Sequence, residues 1–192
     1  PEFDLVLERT IPVSPEAVWA AWTQPELILQ WFTPSPWKTV GCELDLRPGG
    51  RFNTTMESPE GERYPNNGCV IAVDPGRELI FTSVLGEDFR PVAPANGAED
   101  LPFTARIIIE PAAEGGTRYV AMAIHPDAER CQRHAEMEVC QIAVGIPLGN
   151  RLAVQFRRPR IIAEPIEAIA DFDQRLLALR RLGPGIEFGG LR

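Results

Sequence analysis

The stretch from Ile11 to Pro34 constrains this chain more than any other, because it carries two helix-start signals in close succession. Ser14 can accept from an orphan backbone N–H as an N-cap. Pro15 suits the first helical position, where its missing N–H costs nothing, and Glu16 favours the positive end of the helix dipole. Val18, Trp19 and Trp22 then recur at helical spacing, which predicts an apolar stripe with both tryptophans buried. Thr23 reads as the cap of a second turn, and Pro25 and Glu26 repeat the start signal ahead of Leu27, Ile28, Trp31 and Phe32. Pro34 closes the unit. Helices this short are marginal on their own, so a larger layer must lie against them.

Strand patterns supply that layer. Phe3 to Ile11 alternates in part and is rich in β-formers, giving a first strand ahead of the helix pair. Trp37 to Leu46 and Arg51 to Glu57 form a hairpin around Arg47-Pro48-Gly49-Gly50, in which proline presets one backbone angle and glycine tolerates positive φ. A fourth strand is expected from about Tyr64 to Val73, with a bulge or kink at Asn66, Asn67 and Gly68. Glu78 to Val84, Phe103 to Glu110 and Thr117 to Ile124 complete the set, with an irregular loop over Gly86 to Asp100. The pattern predicts an α+β protein with a seven-stranded antiparallel sheet, which buries one face and needs a covering layer. Two helices are candidates for that layer. One starts at Asp127 and runs to about Cys140; the other is marked by Pro165 and by Ile162, Ile166, Ile169, Phe172, Leu176 and Leu179, with Arg180 and Arg181 in its last turn and Gly183 beyond.

Composition excludes several functions. A formal net charge of −8 over 192 residues disfavours a nucleic-acid surface or an anionic membrane as partner, the local cluster Arg157, Arg158 and Arg160 notwithstanding. No apolar run approaches a bilayer-spanning length and no leader-type segment opens the chain, so the expectation is a soluble, cytoplasmic protein without membrane insertion. Cys42, Cys69, Cys131 and Cys140 show no metal-type spacing, and with His125 and His134 as the only histidines no metal site is expected. Reduced thiols packed in the interior are the preferred reading, with a disulfide as the alternative.

The order of elements is that of the helix-grip fold, and the wording agrees. Val13 to Pro34 resembles the opening motif of the activator-of-heat-shock-ATPase-like proteins, members of the START-like (SRPBCC) superfamily that includes the birch-pollen allergen. Asp45 to Phe52 resembles their first hairpin, while Val73-Asp74-Pro75 with Leu79-Ile80-Phe81, and Gly115 to Arg118, fit their later strands. The resemblance covers roughly residues 3 to 137, giving a sheet and helix pair over 1–137 and an atypical C-terminal segment over 138–192 within one domain. That segment departs from the family pattern: Glu138 to Arg160 carries Pro147 and Pro159 and no tryptophan, and is read either as an insertion or as a shifted reading frame. The resemblance implies a curved sheet gripping a long C-terminal helix, here 165–182, with an apolar cavity between them for a hydrophobic small molecule.

Fold does not choose among functions. No nucleophile elbow and no phosphate-binding loop is present, and no cofactor is implied. Trp31, Phe32 and Trp37 are candidate ligand-lining residues, with plain core packing as the alternative. Arg106, on an alternating strand with Thr104 and Ile108, can pair with a ligand carboxylate or with Glu110 if its face looks inward, and is solvated if it looks outward. His125, at the end of the last strand, is the candidate acid, base or ligand donor, against a structural role; His134 reads as helix surface. The leading reading is non-catalytic binding of a hydrophobic small molecule. A cyclase- or hydrolase-type enzyme using the same cavity with His125, and a chaperone-docking protein, are the alternatives, and a homodimer stays open.

Overall fold

The computed structural model describes residues 3–33, 35–92 and 102–136. Strand β1 (Asp4–Ile11) leads into helices α1 (Pro15–Thr23) and α2 (Pro25–Trp31). Strands β2 (Lys38–Leu44), β3 (Phe52–Glu57), β4 (Arg63–Asn66), β5 (Cys69–Asp74), β6 (Glu78–Thr82), β7 (Thr104–Pro111) and β8 (Thr117–Ile124) follow, and then helix α3 (Ala128–Glu136). The strands pair in the orders β1-β8-β7-β6-β5 and β2-β3-β4, antiparallel throughout.

The single seven-stranded sheet expected from sequence is therefore eight strands in sheets of five and three. The expected fourth strand is two strands, one in each sheet, and Gly68 is where the chain changes sheet. A Cβ at Gly68 would lie 2.8 Å from the Phe52 carbonyl oxygen and 3.0 Å from that of Thr82, so no side chain fits between the two backbones. The sheets are stitched together around it. Phe52 donates its N–H to the Gly68 carbonyl at 2.9 Å, Val70 donates to Gly50 at 2.8 Å, and Arg51 bridges to Cys69. The outcome is a curved antiparallel wall with a corner at Gly68.

The helix pair forms much as its sequence dictates. Ser14 accepts from the Ala17 N–H at 3.4 Å, and Pro15 opens α1. Val18 and Trp22, four residues apart, share the buried side of the helix, and Trp22 is 1% exposed. Trp19 sits about 100° further round the helix and is only partly buried at the edge of the core, against the expectation that both tryptophans lie inside. Thr23 is not the cap of α2: that position belongs to Gln24, whose side chain makes no capping bond, while the Thr23 hydroxyl donates back to the Trp19 carbonyl at 2.7 Å.

Register sorts the large sheet into two faces. On the inner face Leu5, Ala123, Ala105 and Phe81 lie abreast across β1, β8, β7 and β6, and Leu7, Ala121, Ile107 and Leu79 form the next row. All eight are buried. The outer face carries charge: Arg106 pairs with Glu78, and Arg118 lies between Glu8 and Glu110. α3 starts at Asp127, whose carboxylate accepts from the Arg130 N–H at 2.9 Å, and turns Cys131, His134 and Ala135 toward the core. The proposed helix over 165–182, Cys140 and the rest of the segment after 136 lie outside the described residues, as do 93–100 of the expected irregular loop.

Among the described residues no helix is long and apolar enough to cross a membrane. Cys42, Cys69 and Cys131 are free thiols, with Cys69 buried and the other two at the core margin.

Candidate functional site

Aromatic rings run in an unbroken series from the helix pair to the far end of β8. Trp31 meets Trp22 edge-on with centroids 4.7 Å apart, and Trp22 lies 6.1 Å from Phe81. Phe32, 6.3 Å from Trp22, leads to Phe52 at 5.9 Å, and Phe52 stacks on Phe81 at 4.0 Å with the planes only 5° apart. Phe81 is 6.4 Å from Phe103, Phe103 is 5.2 Å from the His134 ring, and His134 is 4.9 Å from His125. α1, α2, β3, β6, the approach to β7, α3 and the end of β8 thus each contribute to one wall. On the inner face of the sheet Phe81 lies abreast of Ala105 and Ala123, and these rings pack into one core with Ala105, Ala121 and Ala123, whose side chains are single methyl groups.

Trp31 and Phe32, both candidates from sequence, belong to this series and are each 5% exposed. Trp31 also braces the scaffold. Its indole N–H donates to the Ala21 carbonyl at 2.9 Å, which satisfies the polar end of a buried ring and ties α2 to the end of α1. Trp37 is elsewhere. It packs on Tyr64 at 5.2 Å, between the start of β2 and β4 in the smaller sheet. Arg106 faces outward in alternation with the buried Ala105 and Ile107. Its guanidinium takes the Glu78 carboxylate, at 2.7 Å from Nε and 2.6 Å from Nη2, and not Glu110, which pairs with Arg118. Trp31 and Phe32 are in direct contact, His125 joins them only through Trp22, Phe81, Phe103 and His134, and Trp37 and Arg106 lie apart from the series.

His125 continues the inward alternation of Tyr119, Ala121 and Ala123 one step past the end of β8, and is 5% exposed. His134, read from sequence as helix surface, is 4% exposed. Its helix starts at Asp127, so Cys131, His134 and Ala135 share one side, and that side packs on the core. The spacing of Cys131 and Ala135 was the available signal; the polarity of histidine hid it. The two rings meet at 2.7 Å between His125 Nε2 and His134 Nδ1, and His125 Nδ1 lies 3.2 Å from the Phe3 carbonyl oxygen.

A carbonyl can only accept, so His125 Nδ1 carries the proton and Nε2 of that neutral ring is the acceptor. His134 Nδ1 must then be the donor, and the remaining lone pair of the relay falls on His134 Nε2. Burial holds His125 below the ordinary histidine range, opposed by the Phe3 carbonyl and by Asp4 and Asp127. Burial, reinforced by His125, lowers His134 to about 4. Both rings are neutral at pH 7. Among the described residues no three His, Cys, Asp or Glu side chains gather as a metal site.

An antiparallel sheet curved around a buried apolar inner face, with a helix pair at one end and a helix following the last strand, defines a START-like α+β protein of the helix-grip kind. The chain belongs to the family described as Activator of Hsp90 ATPase homolog 1-like protein, whose model matches residues 12–148. A crystal structure of a Nitrosomonas europaea protein is 39% identical, with a TM-score of 0.66 over 74% of this chain and 92% of that one. The AHSA1 protein of Silicibacter pomeroyi is 28% identical over 73% of this chain and 95% of its own, with a TM-score of 0.53. A Mycobacterium smegmatis protein at 22% identity shares the fold, with a TM-score of 0.57 over 78% of this chain and 94% of that one. No curated protein matches the chain.

Proposed function

We propose that this protein binds a hydrophobic small molecule against the inner face of the large sheet, along the ring series beside Ala105, Ala121 and Ala123. The observation that carries the reading is the continuity of the rings from Trp31 through Phe81 and Phe103 to His134. A wall that extends past the needs of the helix pair, beside small side chains, has the make-up of a ligand site: apolar and aromatic lining with few polar groups. Those few are the two histidines at its end. Net charge of −8 accords with a neutral or cationic molecule better than with a polyanion.

The test uses the whole chain and 4-tert-butylanisole, an apolar ring without a hydrogen-bond donor. Titration should give saturable heat by calorimetry. It should also raise the melting temperature by mass action, equivalent to about 2.7 kcal/mol at a hundredfold excess over Kd. Trp22→Phe and Phe103→Ala should weaken binding, whereas Arg106→Ala on the outer face should not change it. Equal loss from inner- and outer-face variants would refute the placement.

A further inference from the structure

The strand edges of this fold are not treated alike. β4 is a four-residue edge interrupted by Pro65, which has no N–H to offer a neighbour. β2 has α2 packed along it, and β5 is joined to the small sheet through the Arg51–Cys69 bridge. β1 has no such protection. It is eight residues long, contains no proline, and keeps an unshifted register with β8 throughout. Among the described residues no strand pairs with its other side. A long, flat edge of this kind is a template for another strand. We propose that the partner is a second copy of this chain, and that β1 pairs antiparallel with its own copy about a two-fold axis at Leu7.

The backbone decides which residues do the pairing. Phe3 accepts the His125 N–H at 3.3 Å, one step before the Asp4–Ile124 pair, so the backbone groups of Phe3 face β8. In an antiparallel ladder the N–H and C=O of one residue point the same way, and successive residues alternate. Leu5, Leu7 and Arg9 therefore face β8, and Asp4, Val6, Glu8 and Thr10 turn their N–H and C=O groups to the open edge.

Side chains then choose the register. The axis must pass through a residue, because an axis between residues would set inner side chains of one copy against outer side chains of the other. With the axis at Val6, Asp4 faces the partner's Glu8. At Glu8 or at Arg9, two identical charges meet on the axis itself. Like charges directly opposite are destabilising. Axes nearer either end leave much of the edge unpaired. An axis at Leu7 avoids all of this: Val6 faces the partner's Glu8, Asp4 faces the partner's Thr10, and Leu7 meets the partner's Leu7 on the inner face. Glu8 keeps Arg118 of its own chain. The two five-stranded sheets then run on as one, with the buried Leu5 and Leu7 of both copies at the seam.

A seam one strand wide buries less than the roughly 800 Å² per partner of a standard interface, so the dimer should depend on concentration. Sedimentation velocity of the whole chain should show a dimer at about 100 µM that gives way to monomer at about 1 µM. Val6→Pro deletes an N–H aimed at the open edge and none that bonds to β8, so it should stay folded by circular dichroism and be monomeric throughout. Oxidation reads the register, since opposite Cβ atoms stand about 4.5–5.5 Å apart, within disulfide reach. Val6→Cys combined with Glu8→Cys should give a covalent dimer. Neither single variant should exceed the background of the natural protein, because each thiol then faces the other, unmodified position. A natural chain that is monomeric at about 100 µM, or a folded Val6→Pro that still dimerises, overturns the β1 seam. Cross-linking by either single variant overturns the Leu7 axis. Should Val6→Pro fail to fold, the cysteine pair decides alone, and its failure to cross-link overturns the proposal.

Discussion

Acid should weaken this fold through His134 in a way that one substitution exposes. The folded pKa of His134 is lowered, by burial first and His125 second, from 6.5 to about 4. The unfolded chain therefore binds the proton that the folded chain refuses between those values, and stability falls as pH falls through that window. It is fully present above about pH 6.5, is lost progressively down to about 4, and changes no further below, where both states are protonated. Each pH unit inside the window is worth up to about 1.4 kcal/mol, so the whole loss is about 3 kcal/mol, with Asp4 and Asp127 beside His125 softening it. The assay is urea unfolding at pH 7.5 and pH 4.0 of the natural protein and of His134→Asn, whose amide can still donate to His125 Nε2 but cannot titrate. His134→Asn should be the less stable protein at pH 7.5, and the gap should narrow or reverse by about 3 kcal/mol at pH 4.0. Carboxylate protonation acts on both proteins and cancels in the difference. A gap that stays constant between the two pH values would refute the claim that a buried neutral histidine is the source.

Trp22→Ala should cost on the order of 3–5 kcal/mol in urea unfolding, the usual range for an emptied core aromatic site, and Trp19→Ala clearly less because that ring is only partly buried. Gly68→Ala forces a methyl toward the Phe52 and Thr82 carbonyls and should destabilise by on the order of 1–3 kcal/mol; an unchanged midpoint would mean the sheet corner is not tight. The Cys42 thiol is pushed up to about 11 by burial, with Glu26 and Glu43 adding to it. Iodoacetamide at pH 8, followed by peptide mass spectrometry, should label it at least about tenfold more slowly than free cysteine.

The helix pair was legible because its signals are local. Ser14, Pro15, Glu16 and the Val18–Trp22 spacing act within one or two turns, and the structure keeps α1 and α2 where they indicate. Strand positions were legible for the same reason: alternation with a period of two marks a half-buried strand whatever its partner. Family motifs gave the fold class in the same local fashion. Tertiary structure alone decided which strands share a sheet. Gly68 reads as a kink in sequence, but its role as the point of transfer depends on the Phe52 and Thr82 carbonyls, which arrive from other strands. It also decided partners, since sequence offered Arg106 a ligand carboxylate or Glu110, and only the register of β6 against β7 brings it Glu78. The histidines show the limit most plainly. His125 follows from the alternation of β8, whereas the burial of His134 needs α3 folded back on the core, so that two residues nine apart in sequence share one proton path. Sequence reports what a residue prefers by itself; burial, pairing and tautomer belong to the neighbours that folding supplies.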